Sequence, residues 1–185
     1  MYHIKNDKRA RASTELICAG LLTCMKEKPF ARITITDVQR ASTVSRSTFY
    51  RNFDCLEDVL ALLCDRGFQA VFSEYNALPP ERRGNLAKAV FQYWFRNSAV
   101  LEALVQIHRT DILFDSLRRS SGLIQALQPM VDDPARFDYF VAIITSSMIG
   151  VLTVWVEHGK TETEDQMAQK LTSAFIEMAI LELPG

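Results

Sequence analysis

Val44-Ser45-Arg46-Ser47-Thr48-Phe49-Tyr50-Arg51-Asn52-Phe53 is the stretch on which the reading of the fold turns. Ser45 can cap a helix by accepting the backbone N–H of Thr48, and Val44 and Phe49 stand at the spacing of a hydrophobic staple. Phe49 and Phe53, four apart, fall on one face, while Arg46, Ser47, Tyr50 and Arg51 crowd the other. One face anchors and the other is free for polar contact, which is the character of a DNA-reading helix.

Upstream, Asp7 to Lys28 has helix-forming composition with Ile17, Leu21, Cys24 and Met25 at helical spacing, and Pro29 forbids continuation. Lys8, Arg9 and Arg11 in its first turns form either a basic arm or an ordinary solvated helix start. Thr34-Ile35-Thr36-Asp37 carries a T-x-x-D cap signal for a second helix running to about Ser42. Thr43-Val44 leaves about three residues between two short helices, as a helix-turn-helix requires. Asp54 and Glu57 read as the cap of a long helix over about 55–76 that stops at Ala77-Leu78-Pro79-Pro80.

The charge is divided along the chain. The net charge is −1, but residues 1–53 hold 10 Lys/Arg and 4 Asp/Glu, against 11 and 18 in residues 54–185, so that +6 stands beside −7. A basic first module fits a polyanion partner for that module alone. At 185 residues the chain can bury a core without staples. Cys18, Cys24, Cys55 and Cys64 form no CxxC pair and read as free buried thiols, with neither disulfide nor zinc expected. The start MYHIKNDKRAR has no signal-peptide apolar run behind its charges, so a cytoplasmic protein is expected. Paired carboxylates, a nucleophile elbow, a Gly-rich phosphate loop and a metal cluster are all missing from the sequence, so no enzyme and no cofactor are expected. His108 and His158 are lone histidines and read as non-ligating.

The second half reads as helices over 81–97, 98–107 and 110–127, with Gly122 as the break in the last, followed by a loop over 128–134. Tyr139 to Val156 is an uncharged run long enough to raise a membrane span. Thr145-Ser146-Ser147 at its middle and the absence of a second span favour a helix buried between neighbours or subunits, and no membrane partner is expected. Thr163-x-x-Gln166 opens a last helix with Met167, Leu171, Ala174, Phe175, Met178 and Leu181 on one stripe, ending at Leu183-Pro184-Gly185. The expected fold is all-α with about nine helices, divided into a helix-turn-helix head over 1–53, a connecting helix over 54–78 and a further helical region over 79–185.

The run Ile33 to Val59, ITITDVQRASTVSRSTFYRNFDCLEDV, resembles the DNA-binding region of TetR/AcrR-type transcriptional regulators. Thr34, Val44, Ser45, Thr48, Phe49, Tyr50 and Phe53 occupy matching places, and Lys26-Glu27-Lys28-Pro29-Phe30 looks like that family's helix-one ending. Trp155-x-x-x-Gly159 looks like the end of its eighth helix. Two positions depart from the pattern. Thr43 replaces the common turn glycine, so the turn either avoids a left-handed backbone or strains a β-branched residue. Leu56 replaces a common phosphate-gripping lysine, which implies one fewer phosphate contact per subunit.

The resemblance implies a homodimer on a palindromic double-stranded DNA operator, acting as a repressor that a small-molecule effector releases, with regulatory and dimerisation roles for the region over 79–185. The alternative is a DNA-binding adaptor whose second region answers to a protein partner. Arg46 and Ser47 would meet base edges, and Thr48, Tyr50 and Asn52 would touch phosphates, as would Thr34, Thr36 and the second helix's N-terminus. Arg51 fits either set, and Arg9, as part of a basic arm, would also contact the DNA. The helices over 138–156 and 164–182 would pair two subunits, with Ala142, Ser146, Ser147 and Gly150 permitting close approach, or would pack within one. Trp94, His108, Phe114, Phe140, Met148 and Trp155 are candidates for lining an effector pocket, although aromatics dominate cores in any case.

Overall fold

The computed structural model describes residues 2–4 and 7–181, with side chains through Met178. The described residues form ten α-helices and three short 3-10 turns. The expected closing stop Leu183-Pro184-Gly185, the side chain of Leu181, and Met1, Lys5 and Asn6 of the expected charged start lie outside the described residues.

Local chemistry sets the first three helices. Asp7 caps α1 (Lys8–Glu27) by accepting the Ala10 N–H at 2.8 Å, and Pro29 follows its end. α2 (Ile35–Ser42) opens on a reciprocal capping box: Thr34 Oγ1 accepts the Asp37 N–H at 3.2 Å and Asp37 accepts the Thr34 N–H at 2.8 Å. α3 (Arg46–Asn52) is capped by Ser45, whose Oγ accepts the Thr48 N–H at 3.3 Å. Val44 and Phe49 are both buried, as a staple demands.

Between α2 and α3, Thr43 adopts the left-handed conformation, at φ 57° and ψ 16°. Of the two possibilities open at this turn, the chain takes the strained one. Close packing on the other side comes from Gly20 of α1, where a Cβ would stand 2.8 Å from Ser42 Cβ and 3.1 Å from the Val38 carbonyl oxygen. Glycine at this position lets α2 lie directly on α1.

α4 (Leu56–Ala77) begins differently from expectation. Neither Asp54 nor Glu57 caps it; Cys55 is the cap residue without a side-chain bond, and the Asp58 carboxylate accepts the Asp54 N–H at 2.9 Å. After Pro79 the chain makes a 3-10 turn, and Asn85 then caps α5 (Leu86–Arg96) by accepting the Lys88 N–H at 3.0 Å. The helix expected from residue 81 is therefore shorter. α6 (Ser98–Gln106) follows at once.

The break expected at Gly122 falls at Ser120, between α7 (Thr110–Arg119) and α8 (Ser121–Leu127). Gly122 lies inside α8, where any Cβ would run into Phe72 of α4. It serves a close helix approach, and this division accounts for the additional helix. α9 (Pro134–Glu157) starts earlier than expected, because Asp133 caps it through the Ala135 N–H and Pro134 takes the first helical position. α10 (Glu164–Leu181) opens on the expected box: the Thr163 N–H donates to Gln166 at 2.9 Å and Thr163 accepts from the Gln166 N–H at 3.3 Å.

α1 lies against α2, α3 and α4, and α4 also meets α5, α6, α7 and α8. The end of α6 touches the Phe30–Arg32 turn, a second contact between the first three helices and the rest. α9 packs on α5, α6, α7 and α10. One core joins Ile17, Leu21, Phe49 and Phe53 to Phe68, Phe72, Trp94, Leu113 and Leu152. Cys18, Cys24 and Cys64 are buried free thiols, while Cys55 is only half-buried. Burial pushes the Cys18 thiol up to about 11 and Cys64 higher still, so both stay protonated at neutral pH.

Candidate nucleic-acid interface

α3 is fixed by its inner face and presents its outer one. Phe49 and Phe53 are 1% and 0% exposed, with ring centroids 5.8 Å apart, and Tyr50 meets the edge of Phe49 in a T-shaped contact. Arg46, Ser47, Tyr50 and Arg51 are all exposed. The Arg46 guanidinium lies 5.6 Å from the Tyr50 ring centroid and reaches its hydroxyl at 3.4 Å. Arg46 is thus folded along its own helix and must leave that ring to reach a base edge. Ser47 Oγ stands 3.1 Å from Ser45 Oγ, within the cap cluster.

Beside this face, α1 and α3 bound a cleft of about 340 Å³ that brings Arg9, Thr48, Arg51 and Asn52 together. The sequence placed Arg9 forty residues from these partners, and the fold supplies the meeting. Asn52 departs from the expected phosphate contact. It is 2% exposed, and its amide donates to the Thr48 carbonyl at 2.8 Å, while its own carbonyl accepts the His3 N–H at 3.0 Å. Its side chain turns back along the helix axis, so its role is to finish α3.

The N-terminus of α2 also differs from expectation. Thr36 is exposed there, but the Thr34 hydroxyl donates to Asp37 at 2.7 Å, and Lys28 Nζ lies 2.7 Å from the same carboxylate. The hydrogen bonds from Lys28, then those from Thr34, hold the Asp37 carboxyl far below the usual carboxylate range. The expected anion position thus already carries an anion of the chain itself. Leu56, in the place of a phosphate-gripping lysine, is buried.

The expected effector-lining residues do not converge. Trp94 is a core residue, 1% exposed and packed on Phe68 and Tyr93. Met148 is buried, Phe114 and Phe140 are half-buried on α7 and α9, and His108 is exposed at φ 56° in the turn between α6 and α7. Trp155 borders the cleft between α9 and α10, and its indole N–H donates to the Glu162 carbonyl at 3.0 Å. Periodicity marks apolar faces without telling a core from a cavity wall.

Sequence reasoning missed a network around Asp65. Its carboxylate accepts from the Tyr2 hydroxyl at 2.5 Å and from the Ser116 hydroxyl, with Arg119 at 3.6 Å. These partners are so far apart in sequence that no local pattern could reveal them. Burial and the Asp65 contact push the Tyr2 hydroxyl up to about 12.

A family model described as a transcriptional regulator C-terminal region, of the TetR type, matches residues 85–177, half of the chain. The chain belongs to the TetR family of transcriptional regulators. No curated protein matches it significantly. Solved structures share its fold: Lin0861 from Listeria innocua (TM-score 0.70, 17% identity, covering 95% of this chain and 96% of that one) and a chain described as a TetR-family transcriptional regulator from Syntrophomonas wolfei (0.66, 19%, 94% and 97%). A TetR transcriptional regulator from Streptococcus agalactiae gives 0.61 at 19% identity, covering 91% and 96%. At these identities the likeness speaks for the helical architecture alone. This TetR-family chain therefore has its regulator fold established by comparison, and its chemistry rests on its own residues.

Proposed function

We propose that this TetR-family chain binds a palindromic DNA operator as a homodimer and represses transcription until a small-molecule effector releases it. The observation that carries the reading is α3 itself: a capped helix locked from below by Phe49 and Phe53, with Arg46, Ser47, Tyr50 and Arg51 exposed above. Laid in a major groove, its first turn places Arg46 and Ser47 toward base edges, where an arginine can take guanine in a bidentate contact. Tyr50, Thr48, Arg51 and Arg9 flank that turn and serve phosphates.

A single short helix reads too few base pairs for useful specificity, so two copies are required. An apolar row supports pairing. Tyr139, Ile143 and Val154 on α9 are 75%, 53% and 46% exposed, and Ile176 and Met178 on α10 are 57% and 60% exposed. α9 is the one helix among the described residues long and apolar enough to cross a bilayer, with a mean hydropathy of 1.9, yet it packs on four other helices. A dimer interface on its outer side accounts for the apolar surface that remains.

Selection of bound sequences from a random DNA pool tests the reading. A palindrome with two half-sites about one helical turn apart is expected. Enrichment of no sequence, or of a single undivided site, would overturn it.

A further inference from the structure

We infer that the cleft between α4, α7 and α8 is a binding site for a neutral polyhydroxylated compound of saccharide type, an inference that rests on the effector-responsive reading above. The cleft measures about 490 Å³, within the range of small-molecule sites. Gln69, Ser73 and Asn76 of α4, Ser116 and Arg119 of α7, and Gln125 of α8 line it. Amides and hydroxyls offer donors and acceptors together, which is what a ligand bearing several hydroxyls requires. An apolar ligand would leave them unpaired. The charges in the cleft are one of each sign, Asp65 and Arg119, 3.6 Å apart, so an anion would meet Asp65 and a cation Arg119.

Asn76 supplies a second observation. Its amide N–H donates to the Gly122 carbonyl at 2.9 Å, while its Oδ1 is buried without a partner in the described structure. A buried acceptor in that state is stabilised by a hydroxyl donor. Gly122, by letting α8 lie directly on α4, keeps the Asn76 amide against α8 beside the cleft that Asn76 lines, so a small side-chain shift brings Oδ1 within reach of a bound hydroxyl.

The cleft also has a route to the reading helix. Asp65, which accepts from Tyr2 and Ser116, lines it. The residue after Tyr2, His3, donates its N–H to the last residue of α3, Asn52, and its imidazole lies 3.2 Å from Asp54. Residues 2 and 3 therefore tie Asp65 to the end of α3. A ligand whose hydroxyls take the Asp65 oxygens competes with Tyr2 and loosens that tie, so binding in the cleft and the position of α3 are coupled.

Titration calorimetry on the full chain with a panel of neutral monosaccharides, disaccharides and sugar alcohols at millimolar concentration tests this. At least one member is expected to bind one-to-one. Gln69→Trp, at an exposed position of α4, should block the cleft and weaken binding at least tenfold, and Gln125→Ala should weaken it severalfold should the larger side chain disturb folding. Tyr2→Phe should tighten binding by roughly two- to tenfold, since it removes the competing hydrogen bond; a merely structural Tyr2 would not. Absence of binding by both wild type and Tyr2→Phe, or binding indifferent to both cleft variants, would overturn the site. Saccharide binding in the cleft with unchanged operator affinity would uphold the site and refute release by an effector. Operator binding without any saccharide binding would refute the cleft and leave the DNA reading standing.

Discussion

Thr43 offers the sharpest test of how the reading helix is held. It sits at φ 57° in the turn between α2 and α3, a conformation that costs an ordinary L-residue about 1–2 kcal/mol and glycine almost nothing. Its side chain is exposed, so its removal forfeits little packing. Glycine would shed the strain but add roughly 0.5–1 kcal/mol of chain entropy to the unfolded state. The difference is a stabilisation of about 0.5–1 kcal/mol for Thr43→Gly, or about 1–4 °C in Tm for a chain of this length. Urea unfolding followed by circular dichroism, with the denaturant slope unchanged, measures it. Thr43→Ala is the control: it keeps the positive φ and should stay within about 0.5 kcal/mol of wild type. A lower midpoint for the glycine variant, or equal gains from glycine and alanine, would refute the claim that backbone strain is stored at this turn.

At the facing contact, Gly20→Ala should destabilise the chain by roughly 1–3 kcal/mol, because its Cβ would press on Ser42 and Val38; the same unfolding assay reads it, and a neutral result would mean α2 can shift freely. The depressed Asp37 carboxyl gives a pH signature with a definite sign: its contribution is full above its unfolded value near ~3.9 and is lost as pH falls toward the lower folded value, so Asp37→Asn should flatten the acid limb of stability. Arg46→Ala should relax base choice at one operator position by about 1–3 kcal/mol, measured across operator variants; uniform weakening at all variants would reassign Arg46 to phosphate contact. Ile143→Asp should yield a folded monomer by light scattering, and an intact dimer would place the interface elsewhere.

How much of this was legible in the sequence depended on the range of the interaction. The Ser45 cap, the Thr163 box and the Thr34–Asp37 box are exchanges over three residues, and each forms as the spacing says. The boundaries that differ from the pattern are those where a local signal meets a competing one or a demand from another helix. Proline and asparagine at 79–85 delayed α5, and Ser120 rather than Gly122 divided α7 from α8 because Gly122 answers to Phe72, a residue of another helix. A glycine in a helical pattern reads as a break until a neighbour is known to need its missing side chain.

The same distinction separates the two candidate sites. The outward face of α3 spans seven residues of one helix, so spacing alone divides it into the side that packs and the side that faces out, and exposure follows that division at Arg46, Ser47, Tyr50 and Arg51. Asn52 breaks it, since a buried amide that closes the helix and an exposed one that meets phosphate occupy the same register; only the Thr48 carbonyl at 2.8 Å tells them apart. The polar cleft has no such register. Its walls come from three helices, and the tie that joins it to α3 passes through Tyr2, a residue with no periodic neighbour at all. Hydrophobic patterning marks where a chain is dry, and so it pointed to Trp94 and Met148, which the core absorbs. A site built from serines and amides of α4, α7 and α8 leaves no trace in that pattern, because such side chains carry no hydrophobic period whether they end up exposed like Gln69 and Gln125 or buried like Ser116.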